Sequence, residues 1–384
     1  MNFDLDYKQQ QIQKMVREFA AKEIMPNAKQ WDLEEKFPMD VWKKLGHLGV
    51  IGNAIPEKYG GSGMDFLTHA IVAEELGYGC SSIRGSYTVN VSLVAKTILK
   101  WGTEEQKQKY IPPIALGESF GSYALTEPDS GSDVTLLAST AEKDGSYYIL
   151  NGNKMWVTHA NIADVSLIFA RTDKGKGTSG ITAFLVDKDT PGFIPQPIHD
   201  TMGLRAQDIG NINMAGVRIH KDQMLGPEGK GFAVAMSALH DARLTVAAGC
   251  VGTAQAAYDI AKNYAKERMQ FGKFIAGHQL VQSLLANMIL DIEMGRLLVW
   301  RAGFLENKGI PNTREISMAK YFCSEMVNRV CYNAMQVLGG YSFSGECPLE
   351  RMYRDSRINT LYQGTSQLHQ LIIGNAELGI SAFA

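Results

Sequence analysis

A chain of 384 residues exceeds the size at which one hydrophobic core stops growing, so two or three packed units are expected. With 45% apolar residues, 20% charged residues and a formal net charge of −2, the composition is that of an ordinary globular protein. It lacks the basic field that nucleic-acid binders rely on, which excludes that class of partner from the expectations. The five cysteines, Cys80, Cys250, Cys323, Cys331 and Cys347, are odd in number and scattered, with no C-x-x-C pair. That spacing suggests buried thiols, with neither a disulfide framework nor a metal site. Acidic residues at Asp4 and Asp6 stand where a signal peptide needs a basic start, and no uncharged apolar run spans a bilayer. A cytoplasmic protein with no membrane partner is expected.

From the start to about Gly117 the pattern is helical, with Ile12, Met15, Val16 and Phe19 on one face. The glycine-rich stretch from Pro56 to Gly63 interrupts it; without a Walker lysine it reads as a turn more readily than a phosphate cradle. Helical periodicity resumes through Ala70 to Gly77 and Leu93 to Trp101. Short β-rich runs follow at Tyr147 to Leu150, Val165 to Ala170 and Ile181 to Val186, and Asn151-Gly152 is a strong hairpin signal. From about Gly231 helical spacing returns. Its small residues, Ala247, Ala248, Gly249, Gly252, Ala254, Ala256 and Ala257, predict close helix packing and a bundle that also serves as an oligomer interface. The expected units are therefore a helical domain over 1–117, a β-domain over 118–230 and a helical bundle over 231–384.

The polar motifs lie at the junctions between these units. Thr126 to Asp133 (TEPDSGSD) is by itself a turn rich in hydroxyls and exposed amides. Trp156-Val157-Thr158 sets an indole beside a hydroxyl on a strand. Arg268 to Gly272 (RMQFG) reads alone as a basic helix end with a glycine cap.

Together, in this order and spacing, these motifs resemble the acyl-CoA dehydrogenase family over essentially the whole chain. The resemblance implies an α+β, acyl-CoA dehydrogenase fold: an N-terminal helical domain, a middle β-barrel or sandwich domain and a C-terminal four-helix bundle. It also implies bound FAD and a homotetramer built as a pair of dimers. In that family Tyr123, Leu125 and Thr126 would approach the flavin ring, Ser132 would lie near both FAD and thioester, and Trp156 and Thr158 would cover the ring near N5. Arg268, Phe271, His278 and Gln279 resemble contacts to the FAD pyrophosphate and adenosine. Gln336, Gly339 and Gly340 match a segment that reaches FAD from a neighbouring subunit. Thr365 and Gln367 also fall among the implied cofactor contacts. A diphosphate needs a guanidinium fork and close backbone approach, which Arg268 and the glycine pair supply. His240, Asp241 and Arg243 align with a helix that contacts the acyl-CoA; His240 departs from a typical aspartate, so CoA and an acyl carrier protein both remain as thioester carriers. Electron-transferring flavoprotein is the implied partner of a dehydrogenase.

Two departures narrow the chemistry. The family's most common catalytic glutamate lies in a Tyr-Glu-Gly-Thr motif, which here reads Tyr362-Gln363-Gly364-Thr365, and its alternative position is Ala242. A neutral amide cannot take the α-proton, although the Gln363 backbone N–H remains able to polarise a thioester carbonyl beside Tyr362 and Gly364. Asp241 is adjacent to the alternative position but points about 100° away on a helix. The segment Ser81 to Asn90 resembles glutaryl-CoA dehydrogenases, in which an arginine and a following hydroxyl, here Arg84 and Thr88, bind the far carboxylate of the acyl chain. A short dicarboxylic thioester is the implied substrate of an oxidoreductase with an atypical or missing base. A tail-binding arginine without a base also resembles 3-sulfinopropionyl-CoA desulfinases, non-oxidising lyases of the same family. A catalytically inactive flavoprotein that only binds acyl thioester is the third reading.

Overall fold

The computed structural model describes residues 4–382. The first helix, α1 (Tyr7–Phe19), begins with a capping box: Gln9 N–H donates to the Asp6 carboxylate at 2.8 Å and Asp6 N–H to the Gln9 side chain at 3.0 Å. Its buried positions include Ile12 and Val16. Helices α2 (Ala28–Glu34), α3 (Met39–His47) and α4 (Phe66–Gly79) follow. A continuous helical run then comprises α5 (Ser81–Tyr87), a π-helical stretch Thr88–Ala95 and α6 (Lys96–Trp101), and α7 (Glu104–Ala115) closes the region. The change to wider π turns starts at Thr88, the kind of irregularity that recurs at functional sites. The Pro56–Gly63 stretch forms a turn around a 3-10 segment, Glu57–Tyr59, with Gly60 at φ +82°.

The middle region is one curled seven-stranded sheet of β1 (Gly121–Ala124), β2 (Thr140–Asp144), β3 (Tyr147–Thr158), β4 (Val165–Arg171), β5 (Ile181–Asp187), β6 (Phe193–Pro197) and β7 (Ile209–His220). The order is β1-β4-β2-β3-β7-β6, with β5 paired to β4. Alternation along β4 and β5 divides the core: Leu167, Phe169 and Leu185 face the helices, whereas Ile168, Ala170 and Phe184 face a separate apolar cluster.

The last region consists of α8 (Gly231–Glu267), a small hairpin of β8 (Met269–Gln270) and β9 (Lys273–Phe274), then α9 (Gln279–Asn307), α10 (Thr313–Leu338), α11 (Pro348–Ser356) and α12 (Ser366–Leu378). Helix α8 packs against α4, α9 and α10, so both helical regions share one apolar core that includes Leu76, Val94, Val246 and Val327. No described helix is long and apolar enough to cross a membrane. All five cysteines are free thiols, four of them buried.

Two expectations are corrected. Asn151-Gly152 is not a hairpin turn but a bulge inside β3, where Gly152 (φ +140°) leaves no room for a Cβ against Ser139. The sharp turns fall instead at Gly145, between β2 and β3, and at Phe271-Gly272, whose paired positive φ values of 51° and 76° join β8 to β9. Gly272 thus belongs to a hairpin rather than to a helix cap. The small residues from Ala247 to Ala257 are buried where α8 packs against α4 and α10, in keeping with the close helix packing expected of them.

Candidate active site

The α5 helix carries Arg84 inward until only 1% of it is exposed. Its Nη2 donates to Asn359 Oδ1 at 3.1 Å and to the Tyr362 hydroxyl at 2.9 Å, while Nε and Nη1 have no partner. No carboxylate pairs with this guanidinium among the described residues. One helical turn on, at the start of the π stretch, the buried Thr88 hydroxyl is also without a partner. A buried cation held only by neutral groups is costly, and an anion arriving at its free N–H groups would relieve that cost.

Above it runs the loop Tyr362-Gln363-Gly364, which leads into α12. Gln363 adopts φ +55°, and its buried carboxamide oxygen makes no hydrogen bond. Arg243, from α8, donates to the Gln363 carbonyl at 3.0 Å. Lys320, from α10, donates to the carbonyls of Asn359 at 2.8 Å and Gly364 at 2.7 Å, so one amine ties the loop to the residue that holds Arg84. Burial, with repulsion from Arg243, pulls the Lys320 amine down to about 7, and burial likewise lowers Arg243 to about 10. His369 is fully buried beside the loop; burial and the Arg243 and Lys320 charges push it down to about 3, so it is neutral at physiological pH.

The site holds no carboxylate in either customary position. Ala242 is buried, and Asp241 pairs with Lys96 at 3.4 Å. His240 meets Glu306 at 3.1 Å, and the ligand atoms of His240, Asp241 and Glu306 lie within 4.8 Å of one another. Lys96 already supplies a cation to that group.

At the sheet, Tyr123 on β1 donates its hydroxyl to the Ala235 carbonyl of α8 at 3.2 Å. Leu125 is buried, and Thr126 accepts from Met155 N–H at 2.9 Å. Trp156 and Thr158 occupy the end of β3; Trp156 is 57% exposed at φ +57°, an indole offered to a partner outside the core. Ser132 lies exposed in the loop before β2. Thr365 spends its hydroxyl as the N-cap of α12, accepting from Leu368 N–H at 3.2 Å, and Gln367 is exposed in the first turn.

The remaining residues gather elsewhere. Arg268, Phe271, His278, Gln279, Gln336, Gly339 and Gly340 line one cavity of about 1480 Å³, to which no β-domain residue contributes. Phe271 is 94% exposed, and Gly339 has φ +61° and ψ −140°, a conformation open in practice only to glycine. A Cβ at Gly339 or Gly340 would meet nothing within 4 Å in this chain, so these glycines leave space for a group outside it. A guanidinium, an exposed aromatic ring and an open glycine backbone fit a diphosphate and its base.

Sequence reasoning missed Asn359, Lys320 and the pair that anchors the loop between β1 and β2. Lys154 is fully buried in β3 and donates to Glu127 at 2.6 Å and to the Phe169 carbonyl at 2.6 Å. Glu127 in turn accepts from the Ala138 and Ser139 amides at 2.6 and 3.1 Å. Burial lowers the Lys154 amine to about 8 against the opposing pull of Glu127. The one available signal was a lysine at an inward position of an alternating strand.

Comparison with known proteins accords with this geometry. Profiles described as the N-terminal, middle and C-terminal domains of acyl-CoA dehydrogenase match residues 6–118, 122–217 and 229–378. Short-chain specific acyl-CoA dehydrogenase of Bos taurus is 41% identical over 96% of this chain and 90% of its own. Glutaryl-CoA dehydrogenase of Desulfococcus multivorans is 39% identical over 99% of both. Among solved structures, a glutaryl-CoA dehydrogenase with glutaryl-CoA superposes with a TM-score of 0.96 at 38% identity, covering 99% of this chain and 97% of the other. A glutaryl-CoA dehydrogenase from Mycobacterium smegmatis with FADH2 gives 0.95 at 33%, covering 99% and 97%. A structure described as an electron transferring flavoprotein of Acidaminococcus fermentans gives 0.97 at 39%, covering 98% and 100%. With all three domain profiles matched in order and a shared fold over nearly its full length, the chain belongs to the acyl-CoA dehydrogenase family of oxidoreductases.

Proposed function

We propose that this chain is an FAD-dependent oxidoreductase acting on a short acyl thioester with an anion at its far end, in the manner of a glutaryl-CoA dehydrogenase. The observation that carries the reading is the buried Arg84 guanidinium, which keeps Nη1 unbonded and lacks a carboxylate. Bound FAD supplies a two-electron acceptor for a β-hydride. The protein's own residues do the rest: Arg84 and Thr88 take the ligand's remote anion, and the Gln363 backbone N–H polarises the thioester oxygen. Tyr123, Leu125, Thr126, Ser132, Trp156 and Thr158 form the flavin side. The cavity around Arg268 and Gly339 takes the diphosphate end of FAD, with no β-domain residue in its wall. That separation supports a cofactor shared between subunits of a homotetramer. Free thiols support a reducing cytoplasm, and electron-transferring flavoprotein is the proposed acceptor.

The test is an anaerobic titration of FAD-loaded protein with glutaryl-CoA and with the same acyl group on a carrier protein. Bleaching of the oxidised flavin band is expected; bound ligand with an unchanged spectrum defeats the dehydrogenase reading. One observation favours a second reading: residue 363 carries a carboxamide, residue 242 is alanine and Asp241 is held by Lys96, so neither customary position offers a carboxylate for an α-proton. The alternative is a non-oxidising lyase that cleaves the C–S bond of 3-sulfinopropionyl-CoA with water, the oxygen of water joining the sulfino group as sulfite and a proton replacing sulfur on carbon to leave propionyl-CoA. Sulfite release without an electron acceptor would establish it. Tight ligand binding with neither bleaching nor release would leave an acyl-thioester-binding flavoprotein.

A further inference from the structure

Three glycines of the α4–α8 crossing differ in what a side chain there would strike. A Cβ at Gly77 would collide with the Gly249 backbone, and one at Gly252 with the Glu74 carbonyl, so both serve close approach of the two helices. Gly249 is different. The three heavy atoms nearest to a Cβ built on it all belong to Arg84: Cγ at 2.8 Å, with Cδ and Nε closer still. Gly249 lies deep inside the 37-residue helix α8, without the positive φ that would call for glycine. In a helix interior glycine is less favourable than alanine, because its backbone loses more freedom on folding. Its local effect on the helix is therefore unfavourable, and what it contributes is the space that Arg84 fills.

That space fixes the direction of the guanidinium. Arg84 lies across the bare α8 backbone, and Asn359 and Tyr362 hold Nη2 from the far side. Nη1 is left unbonded. A side chain at residue 249 would overlap Cγ, Cδ and Nε of Arg84 and so displace the guanidinium that these two acceptors hold. We infer that Gly249 is a specificity-determining residue, whose missing side chain seats Arg84 so that the pocket selects acyl thioesters with an anionic tail over neutral ones of similar length. The inference rests on the anionic-tail reading above and names the residue that makes it sterically feasible.

A double-mutant cycle on FAD-loaded protein tests it, with glutaryl-CoA and butyryl-CoA binding measured by calorimetry, so that no turnover is needed. Unmodified protein is expected to prefer glutaryl-CoA, and Gly249→Ala to lose about tenfold or more of that preference. In an Arg84→Ala background, adding Gly249→Ala should change the preference by less than about twofold, because the side chain it displaces is gone. Thermal unfolding supplies an independent reading: Gly249→Ala should lower the midpoint, and Arg84→Ala should restore it in the double variant even if the single variant folds poorly. A preference retained in Gly249→Ala, or lost by the same factor in both backgrounds, overturns this inference alone. No preference in the unmodified protein overturns the anionic-tail reading and this inference with it.

Discussion

Arg84 and Arg268, which the proposed function sets at the two ends of the binding region, are built in opposite ways. Arg84 is 1% exposed, clamped by Asn359 and Tyr362 and laid over a bare glycine of this same chain. Arg268 sits in an open cavity beside a Phe271 ring that is 94% exposed, with its guanidinium 5.6 Å from the centre of the Tyr341 ring. In the proposed function the first needs only an anion, and the second needs a larger body to cover it. On the proposed reading, specificity for the small acyl group is encoded within one chain, whereas cofactor retention is left to surfaces that meet on assembly.

The comparison breaks most visibly if Arg84 proves structural. Arg84→Ala is expected to weaken glutaryl-CoA binding by about 2–5 kcal/mol while leaving butyryl-CoA binding nearly intact and the apo fold no less stable, as calorimetry and chemical denaturation would show. Loss of the fold, with ligand preference unchanged, would make the recess ordinary packing. Gln363→Glu sharpens the contrast from the other side: with the tail already held, a placed base should raise dehydrogenation by roughly a hundredfold, followed by flavin bleaching. Arg268→Ala should cost about 1.5–3 kcal/mol of FAD affinity, read as flavin lost on dialysis, and leave the glutaryl preference untouched.

The smallest effect is pH-dependent. Lys320 has its folded-state pKa depressed to about 7 from an ordinary 10.5, so between those values the unfolded chain binds a proton that the folded chain does not. Stability contributed by this group therefore rises with pH across that window and falls as pH drops toward 7. Lys320→Met should flatten the rise, measured by denaturation at about pH 7 and pH 9.

Much of this was readable in the sequence. The face formed by Ile12 and Val16 is that of α1, and the β-rich runs starting at Tyr147, Val165 and Ile181 became β3, β4 and β5. The family resemblance pointed to Arg84, Gln363 and the cavity residues. What stayed hidden depends on pairing at a distance. Nothing local distinguishes Lys154 from a solvated strand lysine until Glu127, 27 residues earlier, is brought beside it. Asn359 and Lys320 gain meaning only when α10 and the loop before α12 converge on Arg84. Gly249 reads as a generic small residue until α8 is laid against α5. Asn151-Gly152 misled because tolerance of positive φ suits a bulge as well as a turn, and the pairing of β3 with β7 continues through it.

Electron density for glutaryl-CoA in crystals of the FAD-loaded protein tests the account most directly. The ligand's remote carboxylate is expected roughly 2.7–2.9 Å from Arg84 Nη1, with Nη2 still on Asn359 and Tyr362. A tail carboxylate turned to solvent, with Nη1 as bare as it is without ligand, would contradict it.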